Sequence, residues 1–260
     1  MSDPVLDHPA IAERYFFPRP DRFPAPLRVP VEGAVLACSL HRAGGERLTV
    51  VHFHGNGEVV GDWREGFPGW LADCGCDLLL AEYRGYGMST GEPRLGAMLD
   101  DVAALVRGAG LDPRRVVFFG RSVGSLFALE GVARFPEAAG LVVESGIADV
   151  LERLLLRVEP AELGVTPAAF EAAVGRRLDQ RRKMAGYRGP VLVLHSAHDG
   201  LVDVSHGERL AAWAGGPATL RTFPRGDHNS ILAENREEYR AALQAFLAGL
   251  GAKVAAAPPG

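Results

Sequence analysis

The sequence predicts an α/β fold in which a mostly parallel, twisted sheet carries helices on both faces. Short apolar runs alternate with helical patterns along most of the chain, an order that is typical of parallel sheets. The apolar runs are continuous rather than alternating, which indicates strands covered on both sides. With 260 residues, of which 47% are hydrophobic and 23% charged, the chain is long enough to bury one large core.

Seven apolar runs are predicted to be strands. In chain order they are Ala34–His41, Leu48–Phe53, Asp77–Ala81, Val116–Phe119, Leu141–Val143, Val191–Leu194 and Ala218–Phe223. Helices separate them: apolar residues from Leu95 to Val106 follow a helical spacing, Ser125–Arg134 follows the fourth strand, and Ile231–Leu250 closes the fold. Because ligands bind beyond the carboxyl ends of parallel strands, the residues after each strand are the candidates for function.

Both ends of the chain are predicted to be peripheral to a main domain at residues 28–252. Residues 1–27, rich in proline and aromatic side chains, predict an extended arm on the domain surface. Residues 253–260 end in Ala-Ala-Ala-Pro-Pro-Gly and predict a flexible tail.

Composition excludes several function classes. The net charge of −4 gives no reason to expect nucleic acid. The longest uncharged stretch, Ala241–Ala252, is too short for a membrane span, and Met1–Arg14 lacks the apolar block of a secretory signal. The cysteines Cys38, Cys74 and Cys76 are odd in number, which favours idle thiols in a reducing cytoplasm over disulfides.

A G-x-S-x-G pattern follows the fourth predicted strand and precedes a helix, as Gly120-Arg121-Ser122-Val123-Gly124. Its two glycines allow a tight turn that lifts the Ser122 hydroxyl above the sheet, where the helix N-terminus points its amides. The alternative is a glycine turn with a capping serine. The strand before the pattern and the helix after it favour a nucleophile.

An acid and a histidine follow two later strands. Asp199 lies after the sixth predicted strand and His228 after the seventh, which gives the order nucleophile, acid, base together with Ser122. Two other carboxylates lie nearby. Asp227 is adjacent to His228, so its side chain is expected to diverge, and Asp203 is placed to cap the next helix. We therefore predict Asp199 as the acid.

Two patterns suggest cofactors without completing a site. His52-Phe-His54 is a metal-like pair, but the glycine-rich turn that follows it supplies no further ligand. Gly85-Tyr-Gly87 resembles the start of a dinucleotide fingerprint, yet Thr90 stands where the third glycine belongs. We expect neither a metal nor another cofactor.

Five segments together resemble the alpha/beta-hydrolase-fold serine hydrolases. They are H-G-N-G at 54–57, E-Y-R-G-Y-G-M-S-T-G at 82–91, G-R-S-V-G at 120–124, P-V-L-V-L-H-S-A-H-D at 190–199 and H-N at 228–229. The resemblance covers roughly residues 30–250. It is closest to a compact branch that includes depalmitoylase-like enzymes and many bacterial hydrolases. One departure is Ser196, where the family usually has glycine.

The resemblance implies a catalytic triad of Ser122 as nucleophile, His228 as base and Asp199 as acid. It also implies an oxyanion hole formed by the backbone N–H groups of Val123 and Asn56. A short lid is implied at about 147–189, long enough for two or three small helices. The implied reaction is cleavage of an ester or thioester through an acyl-enzyme, without a cofactor.

Substrate choice stays open at this point. The partner is expected to be a small-molecule or acyl substrate; acyl transfer, peptide cleavage and a non-catalytic binding role are the alternatives. Leucines and a valine of the lid suggest an acyl wall or ordinary packing, at Leu151, Leu154, Leu155, Leu156 and Val158. A basic stretch suggests a solvated helix face, or contact with an acidic substrate or membrane surface, at Arg176, Arg177, Arg181, Arg182, Lys183 and Arg188. The oligomeric state is not predicted.

Overall fold

The structure is a computed structural model that describes residues 3–45 and 47–256, with only the backbone for 253–256. In the described chain the strands are β1 (Leu27–Val31), β2 (Ala34–His41), β3 (Leu48–Phe53), β4 (Cys76–Ala81), β5 (Val116–Arg121), β6 (Gly140–Glu144), β7 (Val191–Ser196) and β8 (Ala218–Phe223). They form one eight-stranded sheet in the order β1-β2-β4-β3-β5-β6-β7-β8. Strand β2 is antiparallel to both neighbours, and all the other pairs are parallel.

Helices cover both faces of this sheet. They are α1 (Pro9–Tyr15), α2 (Val60–Trp63), α3 (Phe67–Asp73), α4 (Leu95–Gly108), α5 (Gly124–Arg134), α6 (Val150–Leu155), α7 (Pro167–Leu178), α8 (Gln180–Gly186), α9 (Val204–Trp213), α10 (Ile231–Glu234) and α11 (Arg236–Ala256). Short 3₁₀ turns lie at Pro113–Arg115 and Pro160–Leu163. The predicted fold class is confirmed.

Strand β5 explains why the apolar runs are continuous. Its residues Val116 and Phe118 belong to the core on the face of α4 and α5, whereas Val117 and Phe119 belong to the core on the face of α3 and α11. Successive side chains point to opposite faces, so a strand buried on both sides needs apolar residues at every position. The carboxyl end of β5 therefore lies at the centre of the sheet edge, and the turn that follows it is surrounded by neighbouring strands.

The N-terminal prediction is partly wrong. Helix α1 interrupts the expected extended arm, because His8 caps it through Nδ1 and Pro9 suits its first turn. Strand β1 was also missed; its short length, its half-exposed pattern and Pro30 weaken the strand signal.

The C-terminal helix is divided rather than continuous. Asn235 separates α10 from α11, and its side-chain amide donates to the carbonyls of Arg225 and Ile231. Helix α11 then runs to Ala256, past the predicted start of the flexible tail. The remaining predicted tail, 257–260, lies outside the described residues. No helix in the described chain has the length and apolar character to cross a membrane.

The segment at 147–189, which we call the cap segment, contains α6, the turn Pro160–Leu163, α7 and α8. Its basic stretch is not simply a solvated face. Lys183 is 6% exposed and pairs with Glu130 of α5 at 2.7 Å, and Arg176 pairs with Asp3 at 2.9 Å. These ion pairs attach the cap segment to α5 and to the N-terminal arm.

Candidate active site

The turn between β5 and α5 holds Ser122 in the left-handed region, with φ of +54°. A non-glycine residue there costs about 1–2 kcal/mol, so its surroundings must enforce it. A side chain at Gly120 would lie 2.6 Å from the Ser125 Cα, and one at Gly124 would overlap the Phe53 carbonyl. The Ser122 N–H donates to the Glu144 carbonyl at 2.8 Å, which fixes the turn against β6.

Three predicted residues meet at this turn. His228 Nε2 lies 2.8 Å from Ser122 Oγ, and His228 Nδ1 lies 2.7 Å from Asp199 Oδ2. The second carboxylate oxygen of Asp199 accepts the N–H groups of Leu201 at 2.9 Å and Val202 at 2.8 Å. The three side chains thus form a hydrogen-bonded chain at the carboxyl edge of the sheet, and their catalytic roles stay a prediction.

The Asp199 carboxylate is held in its ionised form. Burial opposes ionisation, yet hydrogen bonds from His195 and His228 hold the pKa of that carboxyl well below its usual range. The other two carboxylates have different tasks. Asp203 accepts the N–H of Ser205 at the start of α9, and Asp227 accepts backbone N–H groups of its own turn. These contacts agree with the preference for Asp199.

The turn after β3, which we call the His54 loop (residues 54–58), lies beside the Ser122 turn because β3 and β5 are neighbours. His54 Nε2 lies 2.8 Å from Glu82 Oε1, and its Nδ1 lies 2.8 Å from the Gly55 carbonyl. The Gly55 carbonyl is an acceptor and so is the Glu82 carboxylate, an arrangement that favours hydrogen on both ring nitrogens. Although burial favours the neutral ring, Glu82 raises the pKa of His54. The loop is thus built on a buried histidine–carboxylate pair.

The N-terminal arm holds the side chain of Asn56. Asn56 Oδ1 accepts the Phe17 N–H at 3.1 Å and the Tyr86 hydroxyl at 3.0 Å, while its amide nitrogen donates to the Tyr15 carbonyl. The Arg19 guanidinium donates to the Gly57 carbonyl at 2.7 Å. Sequence reasoning missed this role of the arm. The predicted oxyanion donors, the N–H groups of Asn56 and Val123, stay a prediction.

The histidine pair does not form a metal site. His54 is engaged with Glu82, and His52 is packed among the rings of Trp63, Phe67 and Phe119. Burial holds the pKa of His52 well below its ordinary value. Across the described ranges, no group of three or more His, Cys, Asp or Glu side chains could hold a metal ion. That no metal is needed stays a prediction.

A cavity of about 790 Å³ opens beside the His228 turn. Its walls include Trp63, Phe67, Trp70, Asn229 and Arg240, whose guanidinium lies over the Trp70 ring. Sequence reasoning missed three charged residues that line this cavity and are joined by ion pairs. They are Glu58, Arg121 and Glu144. The available signal was a charged residue at the end of an apolar strand, as in β5 and β6.

A family model described as serine aminopeptidase, S33, matches residues 44–173, half of the chain. The chain belongs to this alpha/beta hydrolase family. Protein YfhR of Salmonella typhimurium is 30% identical over 213 residues, which cover 76% of this chain and 70% of that protein. Human alpha/beta hydrolase domain-containing protein 17B is 25% identical over 205 residues, covering 77% of this chain and 67% of that protein.

Solved structures share the architecture. An esterase from Pyrococcus furiosus superposes with a TM-score of 0.68 at 16% sequence identity, covering 90% of this chain and 96% of that chain. At this identity the likeness shows the alpha/beta hydrolase fold alone. Together with the family match it identifies the protein as an alpha/beta hydrolase, and the finer chemistry must be argued from the site.

Proposed function

We propose that this alpha/beta hydrolase cleaves an ester or thioester through a serine acyl-enzyme. The hydrogen-bonded chain from Ser122 through His228 to Asp199 is the observation that carries the proposal. It joins a nucleophile, a general base and a buried anion within direct contact distance, as acyl transfer requires.

In the proposed reaction, His228 Nε2 accepts the Ser122 proton as the hydroxyl oxygen attacks the acyl carbonyl. The N–H groups of Val123 and Asn56 donate to the developing oxyanion, each contributing about 3–4 kcal/mol. When the tetrahedral intermediate collapses, His228 gives its proton to the leaving oxygen or sulfur. Water, deprotonated by the same imidazole, then releases the acid and restores Ser122. Asp199 keeps Nδ1 protonated throughout, and no cofactor takes part.

The substrate proposed is a small molecule or an acyl chain with an ester or thioester link. The Pyrococcus furiosus neighbour is an esterase, whereas the matched family is described as serine aminopeptidase. The second candidate is therefore amide cleavage on the same triad. A cytoplasmic location is also proposed, because Cys38, Cys74 and Cys76 are free thiols and burial raises the pKa of Cys38 to about 12.

A labelling experiment tests the nucleophile. A fluorophosphonate should modify the wild-type protein at one site, and Ser122→Ala should abolish the modification while Ser205→Ala, outside the site, retains it. Intact mass and peptide mapping give the position. A label that persists in the Ser122 variant, or an unlabelled wild type, would refute the proposal.

A substrate series separates the reaction classes. Hydrolysis of p-nitrophenyl esters from two to sixteen carbons, of butyrylthiocholine and of aminoacyl p-nitroanilides should be compared at equal enzyme concentration. We expect esters and thioesters to be cleaved and anilides to be spared. The reverse ranking would favour the aminopeptidase alternative.

A further inference from the structure

One buried cation beside the triad has no part in the reaction above. Arg121 occupies the position before Ser122, and its side chain is 7% exposed. Its Nη2 donates to the His228 carbonyl at 2.9 Å and lies 3.4 Å from Asn229 Oδ1. The guanidinium therefore supports the backbone of the turn that carries the proposed base.

The same guanidinium reaches the His54 loop. Arg121 Nη1 lies 2.6 Å from Glu58 Oε1. The other oxygen of Glu58 accepts the Gly55 N–H at 2.8 Å and the Trp63 indole N–H at 3.0 Å. Arg121 thus connects the turn that bears His228 with the turn that bears the proposed oxyanion donor Asn56.

A second carboxylate locks the guanidinium in place. Arg121 Nε lies 3.1 Å from Glu144 Oε1, and the Tyr239 hydroxyl donates to the other Glu144 oxygen. Burial raises the pKa of Glu144. Burial also disfavours the Arg121 cation, yet Glu144 and Glu58 together raise its pKa above the ordinary value. The cation is permanent, and each of its three nitrogens is directed to a different partner.

We propose that Arg121 is a positioning residue that holds the His228 turn and the His54 loop in register with Ser122. The proposal rests on the proposed serine hydrolase function. Ser122, His228 and the proposed oxyanion donor of the His54 loop must all reach the same substrate carbonyl group. A displacement of about 1 Å in such a site can lower the rate about 10²-fold. Only a planar fork with several donors can bind three elements at once.

The kinetic test uses Arg121→Lys, which keeps the charge but cannot span the three partners. We expect kcat on the best p-nitrophenyl ester to fall about 10–100-fold with KM changed less than about threefold, because the proposed role of Arg121 is to hold the two turns and not to bind the ester. The matched control is Lys183→Met, which removes another buried cation from a buried glutamate, Glu130, outside the site. The control should lose thermal stability and retain kcat.

A second variant guards against an Arg121 protein that fails to fold. Glu58→Gln breaks only the link to the His54 loop and should lower kcat by a smaller factor. If the two residues act through each other, the double variant should lose no more than about the larger single effect. Unchanged kcat in both single variants, or an equal kcat loss in Lys183→Met, would overturn the proposal.

Amide hydrogen exchange separates this proposal from the proposed function. In Arg121→Lys, exchange should accelerate at least about tenfold in two separate segments, 54–58 and 226–230, whereas Lys183→Met should leave both unchanged. Unaltered exchange in these segments would refute the positioning role even if the enzyme is active. An inactive wild type would refute the proposed function, and the exchange result would still decide whether Arg121 holds the two turns.

Discussion

The position of the proposed nucleophile depends on a backbone conformation that most side chains avoid. Ser122 has φ of +54°, and Ser145 at the end of the neighbouring strand β6 has φ of +47°. A backbone hydrogen bond holds each serine. The Ser122 N–H donates to the Glu144 carbonyl, and the Ser145 N–H donates to the Leu194 carbonyl. Two adjacent strands therefore end in turns fixed by the sheet itself, so the Ser122 hydroxyl is oriented before any substrate binds.

At the same scale, the choice of acid can be tested directly. We expect Asp199→Asn to lower kcat by about 10⁴ with little effect on folding, because the amide would favour the wrong His228 tautomer. Asp203→Asn alters only the cap of α9, so it should lower the free energy of unfolding by about 1 kcal/mol or less. Steady-state kinetics and thermal unfolding of both variants and of Asp227→Asn measure this. A larger kcat loss in Asp203→Asn or Asp227→Asn would assign the acid elsewhere.

At the scale of elements, the His54 loop is pinned by a buried pair whose charge state is itself testable. Because Glu82 raises the folded-state pKa of His54, the pair contributes stability that is fully present below the unfolded value of about 6.5. That contribution is lost as pH rises through the raised folded-state pKa. The contribution of this pair to the stability of the His54 loop should therefore decrease at alkaline pH.

The measurement compares thermal unfolding of wild type and His54→Gln across this range. We expect the melting temperature of the wild type to exceed that of the variant by the largest margin at and below neutral pH. This margin should shrink as the pH rises further. Nitrogen-15 NMR should find both ring nitrogens of His54 protonated at neutral pH. The exposed His198→Gln should show no such trend, and a difference that grows with pH would contradict the charged pair.

The contact between the N-terminal arm and Asn56 gives a second prediction for an element. Tyr86→Phe removes the hydroxyl that accepts the Phe17 N–H and donates to Asn56. We therefore expect the free energy of unfolding to fall by about 1 kcal/mol and kcat to fall several-fold. Tyr187→Phe removes a comparable buried hydroxyl, bonded to the Ala138 carbonyl, and should affect stability alone. Equal kcat values in the two variants would show that the arm does not influence the site.

At the scale of the molecule, the cap segment is held by buried charge as well as by apolar packing. Lys183→Met leaves Glu130 with Arg134 as its remaining cation, so we expect about 3 kcal/mol less free energy of unfolding. Arg182→Met, on the exposed side of the same helix, should change it by less than about 0.5 kcal/mol. Urea unfolding followed by circular dichroism provides both values. If both variants lost a similar free energy of unfolding, the Lys183–Glu130 pair would not anchor the cap segment.

The sequence by itself determined strands β2 to β8 and the chain positions of the candidate site residues. Strands such as β3 and β5 are buried on both faces, so their apolar runs are continuous and visible without a structure. The Gly-x-Ser-x-Gly turn is equally local, because its two glycines are required by contacts within a few residues and with the adjacent strand. Parallel topology then places Ser122, Asp199 and His228 at one edge.

Only the tertiary structure decided which polar groups support that edge. The pairing of Arg121 with Glu58, of His54 with Glu82, and of Asn56 with the arm joins residues distant in sequence. Periodicity reports whether a side chain is buried, whereas the partner of a buried charge depends on how separate loops meet in space. For the same reason the sequence of the basic stretch favours a solvated face over burial, although Glu130 on another helix compensates the cost of burying Lys183.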